Sequence, residues 1–288
     1  MHRRTFLGMT LAWTSGVITR DALAQTPLRI GLTPVFLDDQ AGFLDQWRTY
    51  LEAQLLRPIA FVQRGTYREI VDLLRQGNCD IAWVCGYPYV RNRQQMRLVA
   101  VPEFEGRPVY RSYLIVPARD TATKSMLDLR GRVFAFSDPD SNSGYLVPTY
   151  RLHSLHERAD SFFGKGFFTW AHRKVVEAVA SGVADGGAVD GYIWETLAQI
   201  QPRLASATRI VERSPEFGFP PIVARASLSM TTVTEVRRVL MSMAGDARGH
   251  ELLKTLNLTG FVAGDDRLYA GIERMSRAVG GHTRAASA

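Results

Sequence analysis

Apolar positions along this chain recur with two different periods, and the two periods take turns. Leu28 to Thr33 reads as a strand, Gly42 to Leu55 as an amphipathic helix, Ile59 to Gln63 as a strand, Tyr67 to Gln76 as a helix and Ile81 to Val84 as a strand. This βαβαβ order predicts a parallel sheet with helices on both faces. A longer apolar run, Tyr110 to Pro117, leads into a second set: strand Val133 to Phe136, a helix over 145–155 with Pro148 in its first turn, a segment near Thr169, a helix over 172–181 and a short piece at Gly187 to Val189. The Pro/Gly-rich stretch Ser214 to Pro221 follows, then a strand over Ile222 to Arg225 and two or three closing helices. Two α/β units with crossings near 110–117 and 213–225 predict two lobes joined by two hinge strands. Ligands of such sheets bind outside the carboxyl ends of the strands.

The first residues break this pattern. Arg3-Arg4-Thr5-Phe6-Leu7 precedes a mildly apolar stretch from Gly8 to Ile18, and Ala22-Leu23-Ala24 has the small-x-small form of a cleavage site. These features predict a twin-arginine export signal over residues 1–24 and a periplasmic mature protein. A membrane anchor is the competing reading, but Thr10, Thr14 and Ser15 interrupt a stretch already too short to span a bilayer. Cleavage removes Arg3, Arg4 and Arg20 against Asp21, so the formal charge falls from +7 to +5. Arginines are scattered rather than gathered on one run, which argues against a nucleic-acid surface and for a mild attraction of small anions.

Cys79 and Cys85 flank the strand candidate at 81–84. Six residues of extended chain hold their Cα atoms about 20 Å apart, beyond disulfide reach, so both are expected as free buried thiols. No metal-ligand cluster, nucleotide fingerprint, P-loop or Gly-x-Ser-x-Gly elbow occurs, so neither an enzyme nor a cofactor is expected. The richest polar stretch is Asp138-Pro139-Asp140-Ser141-Asn142-Ser143-Gly144-Tyr145, between a strand and a helix. Hydroxyls, an amide and the free N–H groups of a helix start suit an oxyanion, and the same residues suit an ordinary helix cap.

Three segments together carry a resemblance: Asp80-Ile81-Ala82-Trp83; the stretch from Asp138 through Gly144-Tyr145-Leu146-Val147-Pro148; and His172 followed by Glu177-Ala178-Val179-Ala180-Ser181-Gly182 and Asp185. They resemble the phosphate/phosphite/phosphonate-binding proteins of bacterial ABC importers, over about Leu28 to Tyr269. The resemblance implies a two-lobed type 2 periplasmic binding protein, each lobe a mixed, mostly parallel sheet flanked by helices. The lobes are expected at 25–112 with 221–288 and at 113–220. It implies a monomeric solute-binding protein that captures a small phosphorus oxyanion for the membrane subunits of an importer. Carried over by position, Ser141, Asn142 and Ser143 match the family's Ser-Thr-Ser oxyanion loop, His172 its ligand-facing histidine, and Tyr67 and Tyr110 its two cleft tyrosines.

Two departures refine the expectation. Asn142 stands where the family usually has threonine, and an amide still donates. The positions aligned to the two carboxylates that clamp an ammonium in aminoalkylphosphonate binders read Tyr192 and Pro220, with Asp190 the nearest replacement. A compact or apolar-tailed oxyanion is therefore expected. Cys85 opens an alternative, an arsenite-type sensor module acting with a histidine kinase, in which its thiol joins the ligand site.

Overall fold

The computed structural model describes residues 26–34 and 41–285, so the expected export signal lies outside the described residues. From the start of the first lobe the chain runs β1 (Leu28–Leu32), α1 (Ala41–Leu55), β2 (Ile59–Gln63), α2 (Tyr67–Arg75), β3 (Ile81–Trp83), α3 (Gly86–Arg91) and β4 (Met96–Glu103). It then crosses through β5 (Val109–Tyr110) into β6 (Ser112–Pro117), β7 (Val133–Phe136), α4 (Val147–His153), α5 (Ala159–Phe162), β8 (Lys165–Phe168), α6 (His172–Ser181), β9 (Gly186–Asp190), α7 (Gly191–Ile200), α8 (Pro202–Ser206) and β10 (Thr208–Arg213). The return runs through β11 (Phe217–Gly218) to β12 (Ile222–Arg225), α9 (Met230–Ser242), α10 (Ala247–Thr255), β13 (Gly260–Val262) and α11 (Ala270–Ala285).

Two mixed sheets result, one six-stranded in the order β13-β4-β12-β3-β1-β2 and one five-stranded in the order β10-β6-β9-β7-β8. The parallel pairs are the ones the alternating pattern predicted: β1 with β2 and β3, and β7 with β8 and β9. The antiparallel additions β4, β12, β13, β6 and β10 pair residues far apart in sequence, and β4, β10, β13 and α7 lie outside the elements expected from the sequence. β5 and β11 pair antiparallel to form the crossing, and the predicted strand Tyr110 to Pro117 breaks at Arg111 as the chain leaves this ribbon for the second sheet.

Both faces of the second sheet are buried, which explains its near-continuous apolar runs. Leu114, Val116, Phe134 and Phe136 face one core with Leu129, Leu152 and Phe162, while Tyr113, Ile115 and Ala135 face the larger core with Val175, Val176 and Val179. Each such fully buried aliphatic or aromatic side chain contributes roughly 1.5–3 kcal/mol.

Candidate functional site

The helix starts that face the gap between the lobes are built from local sequence. On α2, Thr66 accepts from Glu69 N while the Glu69 carboxylate accepts from Thr66 N, a reciprocal cap. The buried face Tyr67, Ile70, Val71 and Leu74 follows helical spacing, so Tyr67 is pinned at the first turn with its ring inward. On α6 the buried positions are His172, Val175, Val176 and Val179, which makes the histidine the first member of an apolar stripe. Gly182 ends that helix at φ 81°, a conformation other residues adopt at a cost.

The polar loop after β7 winds earlier than the sequence predicts. A π turn over Asn142–Leu146 precedes α4, with Leu146 N donating to Ser141 O at 3.0 Å. Such wide turns are frequent at functional sites. Ser141 caps this turn, its Oγ accepting from Gly144 N at 3.0 Å. Gly144 admits no side chain, since a Cβ there would lie 1.9 Å from Ser137 Oγ.

Each of the sequence-predicted residues reaches the same buried place. Tyr67 and Cys85 come from the first lobe, Tyr110 from the crossing strand, and Ser141, Asn142, Ser143, His172 and Asp190 from the second lobe; each is at most 5% exposed. Except for Tyr110, they follow the carboxyl ends of strands or open the next helix. Asn142 ties the lobes together, its backbone N–H donating to Cys85 Sγ at 3.2 Å and its side-chain amide to the Tyr110 hydroxyl at 2.9 Å. Ser112 Oγ donates to the Ser143 carbonyl at 2.7 Å and fixes the loop from below. Three buried polar atoms of this region, Asn142 Oδ1, Ser143 Oγ and Ser137 Oγ, have no hydrogen-bond partner. Ser143 lies near enough to the Tyr110 hydroxyl to influence its ionisation, yet its Oγ meets no ordinary hydrogen-bond geometry.

Electrostatics follow from burial without a cation. Burial lowers His172 to about 3, so the ring is neutral at pH 7. Asp190 N donates to His172 Nδ1 at 3.1 Å, which puts the ring proton on Nε2, facing Ser141 Oγ at 3.4 Å. Ser141 Oγ thus accepts twice, from Gly144 N and from the ring, and its own O–H remains for a further acceptor. Burial raises Asp190 to about 8, so it carries a proton at pH 7, and one of its oxygens accepts from Tyr192 N at 2.9 Å as the cap of α7. Burial also pushes Tyr67 and Tyr110 well up and the Cys85 thiol to about 11, keeping all three neutral.

Sequence reasoning missed the residues that join the lobes around the loop. Asp138, its acidity weakened by burial, accepts from Asp140 N at 2.7 Å and from Tyr67 N at 3.1 Å across the gap. Asp140 pairs with Arg91 at 3.0 Å and with Arg68 at 3.5 Å, both from the first lobe. The Asp-Pro-Asp spelling was visible, but the arginines that answer it sit 49 and 72 residues away in sequence. Tyr192 turns away from the site: its hydroxyl donates to the Leu256 carbonyl, and its ring packs against Phe104 and Phe219. Pro220 offers only its carbonyl, which accepts from Trp83 Nε1 at 2.9 Å. Among the described residues no group of three or more His, Cys, Asp or Glu side chains forms a metal site.

Residues 30–269 match the family described as ABC transporter, phosphonate, periplasmic substrate-binding protein. The chain is 23% identical over 266 residues to the probable ABC transporter phosphite binding protein of Prochlorococcus marinus, covering 87% of this chain and 89% of that one. A crystal structure of a binding protein component of an ABC phosphonate transporter from Pseudomonas aeruginosa has the same fold, with a TM-score of 0.79 at 22% identity over 88% of this chain and 86% of that one. The Prochlorococcus protein in complex with methylphosphonate superposes with a TM-score of 0.78 at 21% identity, over 88% and 98% of the two chains. With the profile spanning most of its length and the two-lobed fold behind it, the chain belongs to the periplasmic substrate-binding proteins of phosphonate ABC transporters, a binding component and not an enzyme.

Proposed function

We propose that this chain binds a compact phosphorus oxyanion, of the phosphite or methylphosphonate class, between lobes at 25–112 with 221–288 and at 113–220. Ser141, Asn142 and Ser143 donate to the ligand oxygens, Tyr67 and Tyr110 close over them, and protonated Asp190 adds a donor. His172 holds the Ser141 hydroxyl in a donating orientation. The observation that carries this reading is the fully buried, partnerless Ser143 hydroxyl beside Ser141, whose O–H is likewise left for an acceptor. Burying it unpaired costs on the order of 1–3 kcal/mol, which an anion's oxygen would recover with a charge-assisted bond. Closure needs only a ligand that touches both lobes, because its differential affinity then favours the closed state that the importer's membrane subunits receive.

The same reading takes residues 1–24 as a twin-arginine leader, and the mature protein as a monomer that binds no nucleic acid. The Cys85 thiol, neutral up to about pH 11 and accepting from Asn142 N, supports packing rather than capture of a soft oxyanion. A thermal-shift panel of phosphate, phosphite, methylphosphonate, sulfate and arsenite tests the ligand class. A ligand at 100 times its Kd adds about 2.7 kcal/mol of stability. Phosphite or methylphosphonate should raise the melting temperature and arsenite should not; no response to any phosphorus oxyanion would overturn the proposal.

A further inference from the structure

A second, open cleft of about 360 Å³ lies between the lobes, lined by Pro34, Gln63, Arg64 and Gly65 from the first lobe and by Trp170, Ala171 and Lys174 from the second. It borders the buried site through the chain itself. Ala171 directly precedes His172, and Gly65 stands two residues before Tyr67, so each wall continues within about 4–8 Å of backbone into a residue of the site. Among the described residues that line it, the titratable ones are Arg64 and Lys174, both cationic. The nearest carboxylate on the same segment, Glu69, is held by the Thr66 backbone and hydroxyl at 3.0 and 2.8 Å. Arg64 is steered by one bond from its guanidinium to the Gln63 carbonyl, and neither cation pairs with a carboxylate among the described residues.

The far wall is unusual in its backbone. Trp170 has φ 65°, a left-handed conformation that a bulky residue adopts only when its surroundings enforce it, and its N–H donates to Ser137 O at 2.6 Å. That bond ties Trp170 to the segment leading into the oxyanion loop, while 44% of the residue stays exposed beside the cleft. Behind it α6 begins at Ala171 without a side-chain cap, and the positive end of its dipole lies on the same side.

We infer that this cleft is a subsite for the substituent of the ligand, and that it selects phosphonates carrying a second anionic group, such as a short carboxyalkylphosphonate. The inference rests on the proposed binding of phosphorus oxyanions in the adjoining buried site. The phosphonate group occupies that site, a one- or two-carbon linker passes Ala171, and the carboxylate meets Arg64 and Lys174 with the indole of Trp170 along its side. A cationic substituent meets like charge there and is disfavoured.

Calorimetric titration of the exported protein with methylphosphonate and phosphonoacetate decides the matter. Phosphonoacetate should bind about tenfold tighter at low salt, in line with one well-placed charge-assisted contact, and the advantage should shrink as salt rises. The double variant Arg64→Gln, Lys174→Gln should lose that advantage while its methylphosphonate affinity stays within about threefold of the parent, since neither side chain donates to the phosphonate group. If methylphosphonate binds and phosphonoacetate binds no better, or if the advantage survives the double variant, the subsite is refuted while the buried site stands. If neither phosphonate binds, the ligand class fails and the subsite with it.

Discussion

At the scale of single residues, the buried groups around the loop are neutral, and hydrogen bonds from Gly144 N and the His172 ring leave the Ser141 O–H, like the partnerless Ser143 hydroxyl, free for an acceptor. Ser143→Ala removes the partnerless donor without disturbing the core, so it should weaken phosphite or methylphosphonate binding about tenfold or more, with the ligand-free melting temperature nearly unchanged. Equal affinity in calorimetry would remove Ser143 from the site. Asp190 and His172 leave opposite marks on stability. Asp190 holds its proton up to about 8 in the fold against 3.8 in a free side chain, so the native state binds more protons than the unfolded one and stability falls as pH rises between those values. His172 stays neutral down to about 3 against 6.5, so the unfolded state binds more protons and stability falls as pH drops through that window. Asp190→Asn keeps a cap for α7 and should be stabilising relative to the parent by an amount that grows from pH 4 to pH 8 and then levels off. Melting curves across pH test this, because the His172 contribution is common to both proteins and cancels in their difference. Parallel curves would show that Asp190 is ionised in the fold.

At the scale of elements, the π turn at Asn142–Leu146 places three consecutive polar residues on the inside of one loop, where a regular helix would spread them around its axis. Gly144 permits that winding, since its backbone passes close to Ser137. Gly144→Ala should therefore destabilise the protein by about 1–3 kcal/mol and remove ligand binding, and adding Ser137→Gly should restore part of both. Chemical denaturation together with a binding titration measures the two effects; a stable, fully binding single variant would mean that the loop repacks freely. Legibility at this scale was uneven for a physical reason. The amphipathic runs at α2 and α6 were readable because one face of each meets a core built largely by its own neighbours, and the apolar run at β7 because both of its faces meet a core. The antiparallel strands β10 and β13 were not, because their partners are remote and their own runs are short or partly polar; β4 carries an apolar run, Leu98 to Val101, but its partners β12 and β13 lie far along the chain. The π turn was read as the start of an ordinary helix three residues later, since residue spacing does not distinguish the two windings.

At the scale of the whole molecule, Tyr67, Cys85 and the Asp140-binding arginines of one lobe meet the polar loop of the other. The surface-exposed ends of Arg68 and Arg91 limit what each ion pair adds to roughly 0.2–1 kcal/mol, so the buried hydrogen bonds from Asn142 and Tyr67 N weigh more in holding the lobes. No acidic clamp stands where Tyr192 and Pro220 lie, and Asp190 is protonated and engaged as a cap. Aminoethylphosphonate should accordingly bind more weakly than methylphosphonate, because its ammonium would lose water without gaining a partner. Cys85→Ser should leave the phosphorus oxyanion affinity within about threefold, since a hydroxyl also accepts from Asn142 N. Competition calorimetry checks both; tighter binding of the aminoalkyl ligand would make Asp190 its carboxylate partner.

The sequence by itself determined the alternation that builds two α/β units, the family likeness, and which polar residue types gather in one buried place. Those follow from periodicity and from hydroxyl, amide and glycine chemistry, which are local properties. It did not determine that His172 is locked neutral and serves Ser141, that Asp190 keeps its proton, or that Asp138 and Asp140 answer groups of the other lobe. Ionisation and pairing depend on what surrounds a group once the chain has closed, and residues far apart in sequence supply those surroundings. The same holds for the cleft lined by Arg64 and Lys174: two cations 110 residues apart in sequence come to line one cleft only where the two lobes meet.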